Sequence, residues 1–214
     1  MTDAVRYYQT RFQPDPRRAK VWRVICGWLQ REVPCEAHVL DLGAGYCDFI
    51  NQIQAARKVA LDLADQVRFA AAPGVETHVG SCTDLSFAGD GAFDIVFASN
   101  LFEHLTLPNL ELTLSEVHRV LRPNGKLIVM QPNFRYCYRE YFDDYTHVMI
   151  YTHRSLCDVL RGAGLKPERV HPRFLPYSMK SRLPSAPALV WLYLRSPIKP
   201  FAGQMLVVAR KSLV

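Results

Sequence analysis

The residues whose types and spacing could carry chemistry begin in VLDLGAGYCDF, residues 39–49. An apolar run there ends in Gly43 and Gly45, and Asp41 precedes both glycines. Glycine lets the backbone approach a ligand, and an acid beside the turn suits a cationic ligand better than a diphosphate. A second acid, Asp62, ends the next apolar run, where a carboxylate can accept from both hydroxyls of a ribose. Together these features predict a nucleoside site.

The spacing of the glycines argues against binding of the pyrophosphate of a dinucleotide. The dinucleotide fingerprint has a third small residue three positions after the second glycine, for close packing of helix on strand. The chain has Cys47 and Asp48 where that residue would stand. An NAD-dependent reductase is therefore the weaker alternative for this turn.

Length and composition predict one domain over residues 1–214, because a chain of 214 residues can bury a full core. Lys and Arg number 26 against 20 Asp and Glu, a net charge of +6. This charge is compatible with binding to nucleic acid, to an anionic membrane surface or to an anionic substrate, and equally with a solvated surface.

The six cysteines form no CxxC pair, which predicts a reducing compartment and no metal site. No apolar leader or span is visible, and we expect a cytoplasmic protein.

Apolar runs and helical stripes alternate from residue 36 onward. The predicted strands are 38–42, 58–63, 76–80, 93–99, 126–131 and 203–211, and the predicted helices lie within 14–31, 108–121 and 152–165. Asp15 and Thr152 are the candidate N-caps of the first and last of these helices. Strands that are apolar on both faces and alternate with helices predict an α/β fold, a Rossmann-like, mostly parallel sheet with helices on both faces.

The sequence resembles the class I S-adenosylmethionine (SAM)-dependent methyltransferase family, of the small-molecule and saccharide-cluster type. The matching pieces are VLDLGAG, ALDL, GSCTDLSF, FDIVFASNLFEHL and EVHRVLRPNGKLIVMQPN. The resemblance is firmest over residues 36–131, the expected SAM-binding core. It implies a seven-stranded sheet with the last strand antiparallel, and SAM as cofactor over strands one to four.

The resemblance also implies cofactor contacts, position by position. Asp41, Gly43, Ala44 and Gly45 would line the methionine side, Asp62 and Leu63 the ribose, Ser81, Cys82 and Thr83 the adenine, and Asn100 the reactive end. One position departs from the family, which has an acid where this chain has Ser81. The Ser81 hydroxyl, the Cys82 backbone and Asp84 are the alternatives for the adenine amino group.

Two histidines are candidates for the catalytic base, because an alcohol acceptor gains from a base near its proton. His104 follows strand four, and His147 lies in the loop after strand five. For each, a structural role is the alternative.

The loop over residues 132–151 is long and rich in aromatic residues. Such a loop suits a sugar or another flat polar acceptor, or forms a packed lid. Its aromatic residues are Phe134, Tyr136, Tyr138, Tyr141, Phe142, Tyr145 and Tyr151. Its FDDYTH and YTHRSL pieces resemble bacterial saccharide-cluster methyltransferases more loosely.

The two ends of the chain have less specific patterns. Residues 1–35 are expected to form a helical extension. Its aromatic start either packs against the rest of the domain or covers the ligand site as a flap. Residues 132–214 should hold the acceptor-side loop, a helix, an insertion and the last strands. Within the insertion, ALVWLYL is interpreted as a buried segment. The alternative is an apolar patch over 183–201 at the inner membrane surface, rimmed by Arg182, Arg195 and Lys199.

The leading functional hypothesis is methyl transfer from SAM, to oxygen of a small-molecule or saccharide or lipid-linked acceptor. An RNA or protein methyltransferase is an alternative. It is disfavoured because no RNA-binding module is visible, and because SNLFEHL stands where an Asn/Asp-Pro-Pro-Tyr tetrad would follow strand four. A non-catalytic SAM-binding scaffold is a further alternative. The sequence predicts neither the acceptor's identity nor the oligomeric state.

Overall fold

The computed structural model describes residues 15–176 and 186–212. Its centre is a seven-stranded sheet in the order β3-β2-β1-β4-β5-β7-β6. The strands are β1 (His38–Leu42), β2 (Arg57–Asp62), β3 (Val75–Val79), β4 (Phe93–Ser99), β5 (Leu121–Pro132), β6 (Leu165–Pro176) and β7 (Ala202–Lys211). Strand β7 runs antiparallel to both neighbours, and β1 to β5 are mutually parallel. The predicted fold class is confirmed.

Helices connect these strands, and the three helical segments that the sequence predicted correspond to the first, third and fifth of them. The helices are α1 (Pro16–Leu29), α2 (Gln66–Ala70), α3 (Leu107–Val120), α4 (Phe134–Cys137), α5 (His153–Gly162) and α6 (Pro187–Arg195), with short 3-10 turns η1 (Gln30–Glu32), η2 (Phe102–His104) and η3 (Tyr141–Asp143). Asp15 caps α1 by accepting from the Arg17 amide, and Thr152 caps α5 in a capping box with Ser155. The predicted N-terminal flap, within residues 1–14, lies outside the described residues.

Helices cover both faces of the sheet and bury two apolar clusters. On one face α3 and α5 bury Leu114 and Leu160 against Leu40 of β1. On the other face α1 buries Ile25 against Val39. Neighbouring residues of a strand point to opposite faces, so both of these β1 residues lie in a core. Burying each large aliphatic side chain stabilises the fold by about 1.5–3 kcal/mol. This packing fixes the edge at which the parallel strands end.

Strand β6 is an element that the sequence reading did not identify. It contains Pro167 and Pro172, and its pairing with β7 shifts register between Pro167 and Arg169 and again beyond His171. Proline lacks a ladder donor, which restricts it to edge strands and bulges. The strand is the last in the sheet, so these prolines are tolerated there while they break the alternating pattern that predicts a strand.

The interpretation of ALVWLYL as a buried segment is wrong. The segment forms α6, in which Leu194 is buried, whereas Leu189, Trp191 and Leu192 are about half exposed or more. Helix α6 packs on α1 at the outside of the molecule, so it can bury one side only. No helix within the described residues is both long and apolar enough to cross a bilayer.

Candidate active site

The candidate site lies at the carboxyl edge of the parallel strands. Strand order reverses between β1 and β4, which are neighbours in the sheet although β2 and β3 come between them in sequence. In open α/β sheets, ligands bind in the crevice outside the carboxyl ends of the strands at such a reversal. The loops after β1, β2, β3, β4 and β5 all meet at this edge, and they carry the residues that the sequence singled out.

The turn after β1 has room for a ligand because its glycines have left-handed backbone angles. Gly43 has φ of 74° and Gly45 has φ of 56°. A Cβ at Gly43 would lie 3.0 Å from the Leu101 side chain, so the position excludes larger residues. The Gly43 and Ala44 amides donate to the Leu61 carbonyl of β2 at 2.8 and 2.9 Å. These bonds fix the turn between two strands.

The chain beyond this turn does not form a regular helix. Residues 44–52 form hydrogen-bonded turns without a regular helix. Cys47 has φ of 58°, which is outside the right-handed helical region and interrupts helical bonding. The segment is anchored instead by Arg18 of α1, whose guanidinium lies 2.7 Å from the Asp48 carboxylate. The start of α1 is thereby held beside the glycine turn.

Asp62 organises the turn from the neighbouring strand. One of its carboxylate oxygens accepts from the Gly45 amide at 2.8 Å, and the other accepts from the Ala64 amide at 2.9 Å. Each carboxylate oxygen has a further lone pair, so the group can still accept from a ligand's hydroxyls. The exposed side chain of Leu63 follows directly. The geometry fits a ribose held at Asp62 with an apolar surface beside it.

Asp41 is placed beneath the turn and is buried. Burial raises the pKa of this carboxyl well above its ordinary value, and the nearby Asp62 and Asp48 carboxylates raise it further, while a hydrogen bond from the Ile50 backbone lowers it. A buried acid that must ionise at neutral pH costs stability. A cation bound above the turn would favour the ionised form, which burial disfavours in the empty site.

Replacing Asp41 by asparagine should therefore stabilise the cofactor-free protein at neutral and alkaline pH. A carboxyl with a raised pKa binds its proton more tightly when folded, so its contribution to stability falls as pH rises above the ordinary value. Asparagine cannot ionise, so the variant avoids this loss of stability at high pH. Its side-chain oxygen still accepts the hydrogen bond from the Ile50 backbone. Urea unfolding at pH 5 and pH 8 should show a gain that widens with pH. An equal gain at both pH values would contradict this assignment. The exposed Asp65, changed to asparagine, is the matched control.

The loop after β3 brings the predicted adenine-side residues to the same edge. The Gly80 amide donates to the Asp62 carbonyl at 2.9 Å, which joins this loop to β2. The Ser81 and Thr83 hydroxyls are 2.7 Å apart, and Cys82 is buried under α3, where it accepts from the Thr113 hydroxyl. The Asp84 carboxylate accepts from the Ser86 amide, and its remaining lone pairs leave Asp84 an alternative beside the hydroxyls of Ser81 and Thr83.

Asn100 follows β4 with a left-handed backbone, φ 49°. Its amide donates to the Met130 carbonyl of β5 at 2.8 Å. Its side-chain oxygen accepts from the Gln204 amide group at 3.2 Å. A non-glycine residue in this conformation is held there by its surroundings, and such strain is common at functional sites.

The two candidate histidines come together on the acceptor side. Turn η2 carries His104, and the loop after β5 is tied to η2 because the Val148 and Met149 amides donate to the Glu103 carbonyl at 2.9 and 3.1 Å. This tie brings the ring of His147 to 4.9 Å from the ring of His104, centroid to centroid. Burial and the neighbouring His147 lower the pKa of His104, which favours its neutral form.

The same region contains buried polar groups that lack hydrogen-bond partners. Within residues 15–176 and 186–212, the buried side-chain atoms without a partner are both oxygens of Glu103, both amide atoms of Gln131, Oδ1 of Asn133 and the hydroxyl of Tyr151. All four residues lie at the end of β5, in η2 or in the loop after β5. Buried polar groups in proteins are nearly always paired. A concentration of unpaired groups at one edge makes this edge a candidate position for a polar ligand or ordered water.

Comparison with known families agrees with this geometry. A family model described as a methyltransferase domain matches residues 40–129, which run from β1 to β5. Together with the sheet topology, this match supports a methyltransferase domain of the class I SAM-dependent type. SAM is the cofactor of that family, and the open glycine turn with Asp62 beside it fits SAM. No curated protein matches the sequence significantly.

Solved structures share the fold at low sequence identity. A chain of the Haloferax volcanii complex of the Trm112 methyltransferase activator with a methyltransferase is 17% identical, with TM-score 0.69 and 91% of each chain covered. The Burkholderia thailandensis 1,6-didemethyltoxoflavin-N1-methyltransferase, with S-adenosylhomocysteine bound, is 19% identical, with TM-score 0.63, 99% of this chain and 86% of that chain covered. The [4+2]-cyclase SpnF is 18% identical, with TM-score 0.66 and coverages of 90% and 81%. The likenesses establish the fold.

The structure thus gathers every predicted cofactor residue at one edge of the sheet, whereas their roles as contacts stay predictions. Sequence reasoning missed Glu103 and Gln131 on the acceptor side, and it named Tyr151 only as one of the aromatic rings of the loop. A glutamate directly beside His104 in FEHL was the available signal for Glu103. Gln131 gave no signal, because only the packing shows that its polar atoms are buried and unpaired.

Proposed function

We propose that the protein transfers the methyl group of SAM to a hydroxyl oxygen of a small-molecule or saccharide acceptor. The observation that carries the proposal is the set of buried, unpaired polar atoms of Glu103, Gln131 and Tyr151 beside the paired histidines. A hydroxyl-rich acceptor can donate to the carboxylate and amide oxygens and accept from the Tyr151 hydroxyl and the amide nitrogen.

The chain's own contribution is to hold the acceptor oxygen in line with the methyl group and to accept the proton that the acceptor hydroxyl loses. When bound, SAM supplies the methyl group from its sulfonium centre. His104 and His147 lie where an acceptor hydroxyl would lose its proton, and each imidazole is oriented by a hydrogen bond from Nδ1 to a backbone carbonyl. An oriented imidazole near an acceptor's proton contributes about 10²–10⁴-fold to rate.

The aromatic loop supports a flat or ring-shaped acceptor. Tyr141 is buried and packs edge-on against Phe134 and Phe142, at 5.2 Å in both cases. Tyr138 and Tyr145 are exposed in the same loop. Exposed aromatic rings on a packed base present flat apolar faces with polar tips, which suit the mixed surface of a sugar.

The test is an acceptor screen that follows release of S-adenosylhomocysteine. The panel holds hydroxylated small molecules, free saccharides and lipid-linked saccharides, with RNA and protein as separate arms. We expect turnover with a hydroxylated arm at a rate insensitive to salt, since phosphate contacts would make nucleic acid methylation strongly salt-dependent. Release that occurs only with RNA or protein would overturn the proposal. SAM binding without release in any arm would favour a scaffold.

We also propose that α6 and the residues after it contact an anionic membrane surface, which would suit a lipid-linked acceptor. Ile198 and Phe201 are 75% and 80% exposed beside the outer face of α6. Cationic groups border them: the Arg195 guanidinium stacks 4.1 Å from the Trp191 ring, and Lys199 lies nearby. Exposed apolar side chains with a basic rim are typical of interfacial binding.

Sedimentation with lipid vesicles tests this contact. The protein should sediment with vesicles rich in phosphatidylglycerol and remain in solution with phosphatidylcholine alone. The double change Ile198→Glu and Phe201→Glu should reduce the bound fraction at least about tenfold, since each buried methylene contributes roughly 0.8 kcal/mol. Leu112→Glu, on the exposed face of α3, is the control that should bind normally. Equal sedimentation of all three proteins would contradict the proposal.

A further inference from the structure

Three side chains with metal-binding groups converge beside the candidate acceptor site. One carboxylate oxygen of Glu103 and one ring nitrogen each of His104 and His147 all lie within 4.8 Å of one another. Glu103 is 1% exposed and His147 is 8% exposed. The three groups come from two segments that the Glu103 carbonyl ties together.

The hydrogen bonds of the two histidines determine which ring nitrogen carries the lone pair. His147 Nδ1 lies 2.7 Å from the Tyr141 carbonyl oxygen, and His104 Nδ1 lies 3.1 Å from the Thr146 carbonyl oxygen. A carbonyl can only accept, so both Nδ1 atoms carry the hydrogen. The lone pair of each ring is therefore on Nε2. A metal-binding histidine usually has this arrangement, with its other ring N–H donated to a carbonyl or carboxylate.

Thr146 and Asp144 reinforce the position of His104. The Thr146 hydroxyl lies 3.0 Å from His104 Nδ1 and donates to the Asp144 carboxylate at 2.6 Å. The Thr146 amide donates to the same carboxylate oxygen at 3.1 Å. The ring is thus oriented through a hydroxyl that is itself held by a buried acid. Outer partners of this kind fix a ligand's tautomer and raise its basicity.

Glu103 supplies a second, independent sign of a bound ligand. Its carboxylate is buried, and neither oxygen has a hydrogen-bond partner among the residues that the structure describes. Burial raises the pKa of this carboxyl to about 8. A buried carboxyl without a side-chain partner is costly; the Glu103 backbone offsets part of that cost, whereas the nearby Asp144 carboxylate adds to it. A cation between Glu103 and the two imidazoles would offset it.

We propose that Glu103, His104 and His147 bind a divalent transition-metal ion of the zinc class. Two imidazoles and a carboxylate with a remaining open position are the ligand set of catalytic zinc sites, and imidazole ligands disfavour Mg²⁺ and Ca²⁺. Tetrahedral zinc with ligand distances of about 2.0–2.1 Å places its ligand atoms roughly 3.3 Å apart. Because the three groups lie within 4.8 Å of one another, binding the ion would bring any pair of ligand atoms closer by at most about 1.5 Å.

The metal site does not depend on the proposed function. The effect of the metal on the acceptor, however, rests on the proposed function. The open position of the ion would take an acceptor oxygen, and a bound divalent ion lowers the pKa of such an oxygen. The imidazoles would then bind the ion, and the ion would replace an imidazole as the group that activates the hydroxyl.

The experiment measures metal binding directly, without cofactor or acceptor. Chelator-treated full-length protein is titrated with Zn²⁺ by calorimetry, and with Co²⁺ while its visible absorption is recorded. All variants carry Cys35→Ser, because Cys35 is the exposed thiol among six free cysteines. We expect one ion per chain and a cobalt spectrum without the thiolate charge-transfer band.

Two near-isosteric variants test the ligands, and SAM binding reports whether they fold. Glu103→Gln and His147→Gln should each weaken Zn²⁺ binding at least about 100-fold, more than loss of an outer partner does. His118→Gln, outside the cluster, should bind Zn²⁺ normally. No stoichiometric binding by the parent, or equal binding by all three variants, would overturn the metal site.

The readout also separates this inference from the proposed function. If metal binding depends on Glu103 and His147 but no hydroxylated acceptor is turned over, the metal site is retained and the proposed function is overturned. Turnover by metal-free protein that is unchanged on adding Zn²⁺ would retain the proposed function and overturn the metal's role in it.

Discussion

Replacing Asp62 by alanine is expected to weaken SAM binding at least about 100-fold, or roughly 2.7 kcal/mol. Charge-assisted hydrogen bonds contribute about 1.5–3 kcal/mol each, and a carboxylate at the end of β2 can accept from two ribose hydroxyls. The change also removes the acceptors that hold the Gly45 and Ala64 amides. Calorimetric titration with SAM and with S-adenosylhomocysteine measures the loss.

The neighbouring Asp65 provides a matched control for this prediction. Its side chain is 76% exposed and is paired with Arg68 alone among the ion pairs of the described chain, so Asp65→Ala should bind SAM as the parent does. Asp62→Asn keeps one acceptor oxygen and should give an intermediate affinity. Unchanged binding in Asp62→Ala would show that the cofactor is held elsewhere, and the assignment of the ribose site would fail.

Replacing either His104 or His147 by alanine is expected to reduce kcat by about 10²–10⁴-fold while SAM affinity changes less than about twofold. The two imidazoles lie on the loops after β4 and β5, away from the glycine turn that is expected to hold the cofactor. The loss should therefore fall on the chemical step. Single-turnover release of S-adenosylhomocysteine, with the acceptor identified by the screen, separates the chemical step from product release.

The control for the histidine variants is His118→Ala, on α3, which should retain full kcat. Because the two site histidines share one cluster, the double variant should lose little more than either single variant. A multiplicative loss would mean that they act independently. Full activity in both single variants would show that neither imidazole takes part.

The cofactor side of the site could be predicted from the sequence because its residues follow strand ends. VLDLGAG and ALDL encode strand and ligand edge in one run, and parallel strands bring such ends together. The glycines at 43 and 45 have the positive φ that their turn requires. The turns that follow the glycines could not be predicted, because the left-handed backbone of Cys47 leaves no visible mark in the sequence.

The acceptor side could not be predicted to the same depth because it depends on contacts between distant segments. His147 reaches His104 only through the backbone tie at Glu103, which no pattern of residue types reveals. Whether an apolar helix such as α6 is buried depends on what packs against it. Similarly, the prolines of β6 are tolerated because β6 is an edge strand, a fact that belongs to the whole sheet.

The backbone tie at Glu103 makes assembly of the acceptor site a single event. The carbonyl of Glu103 holds the loop that carries His147, while its side chain faces both histidines. Lifting that loop would break the two hydrogen bonds from the Val148 and Met149 amides and move His147 away from Glu103 and His104. We therefore expect the three groups to come together only while this loop stays in place.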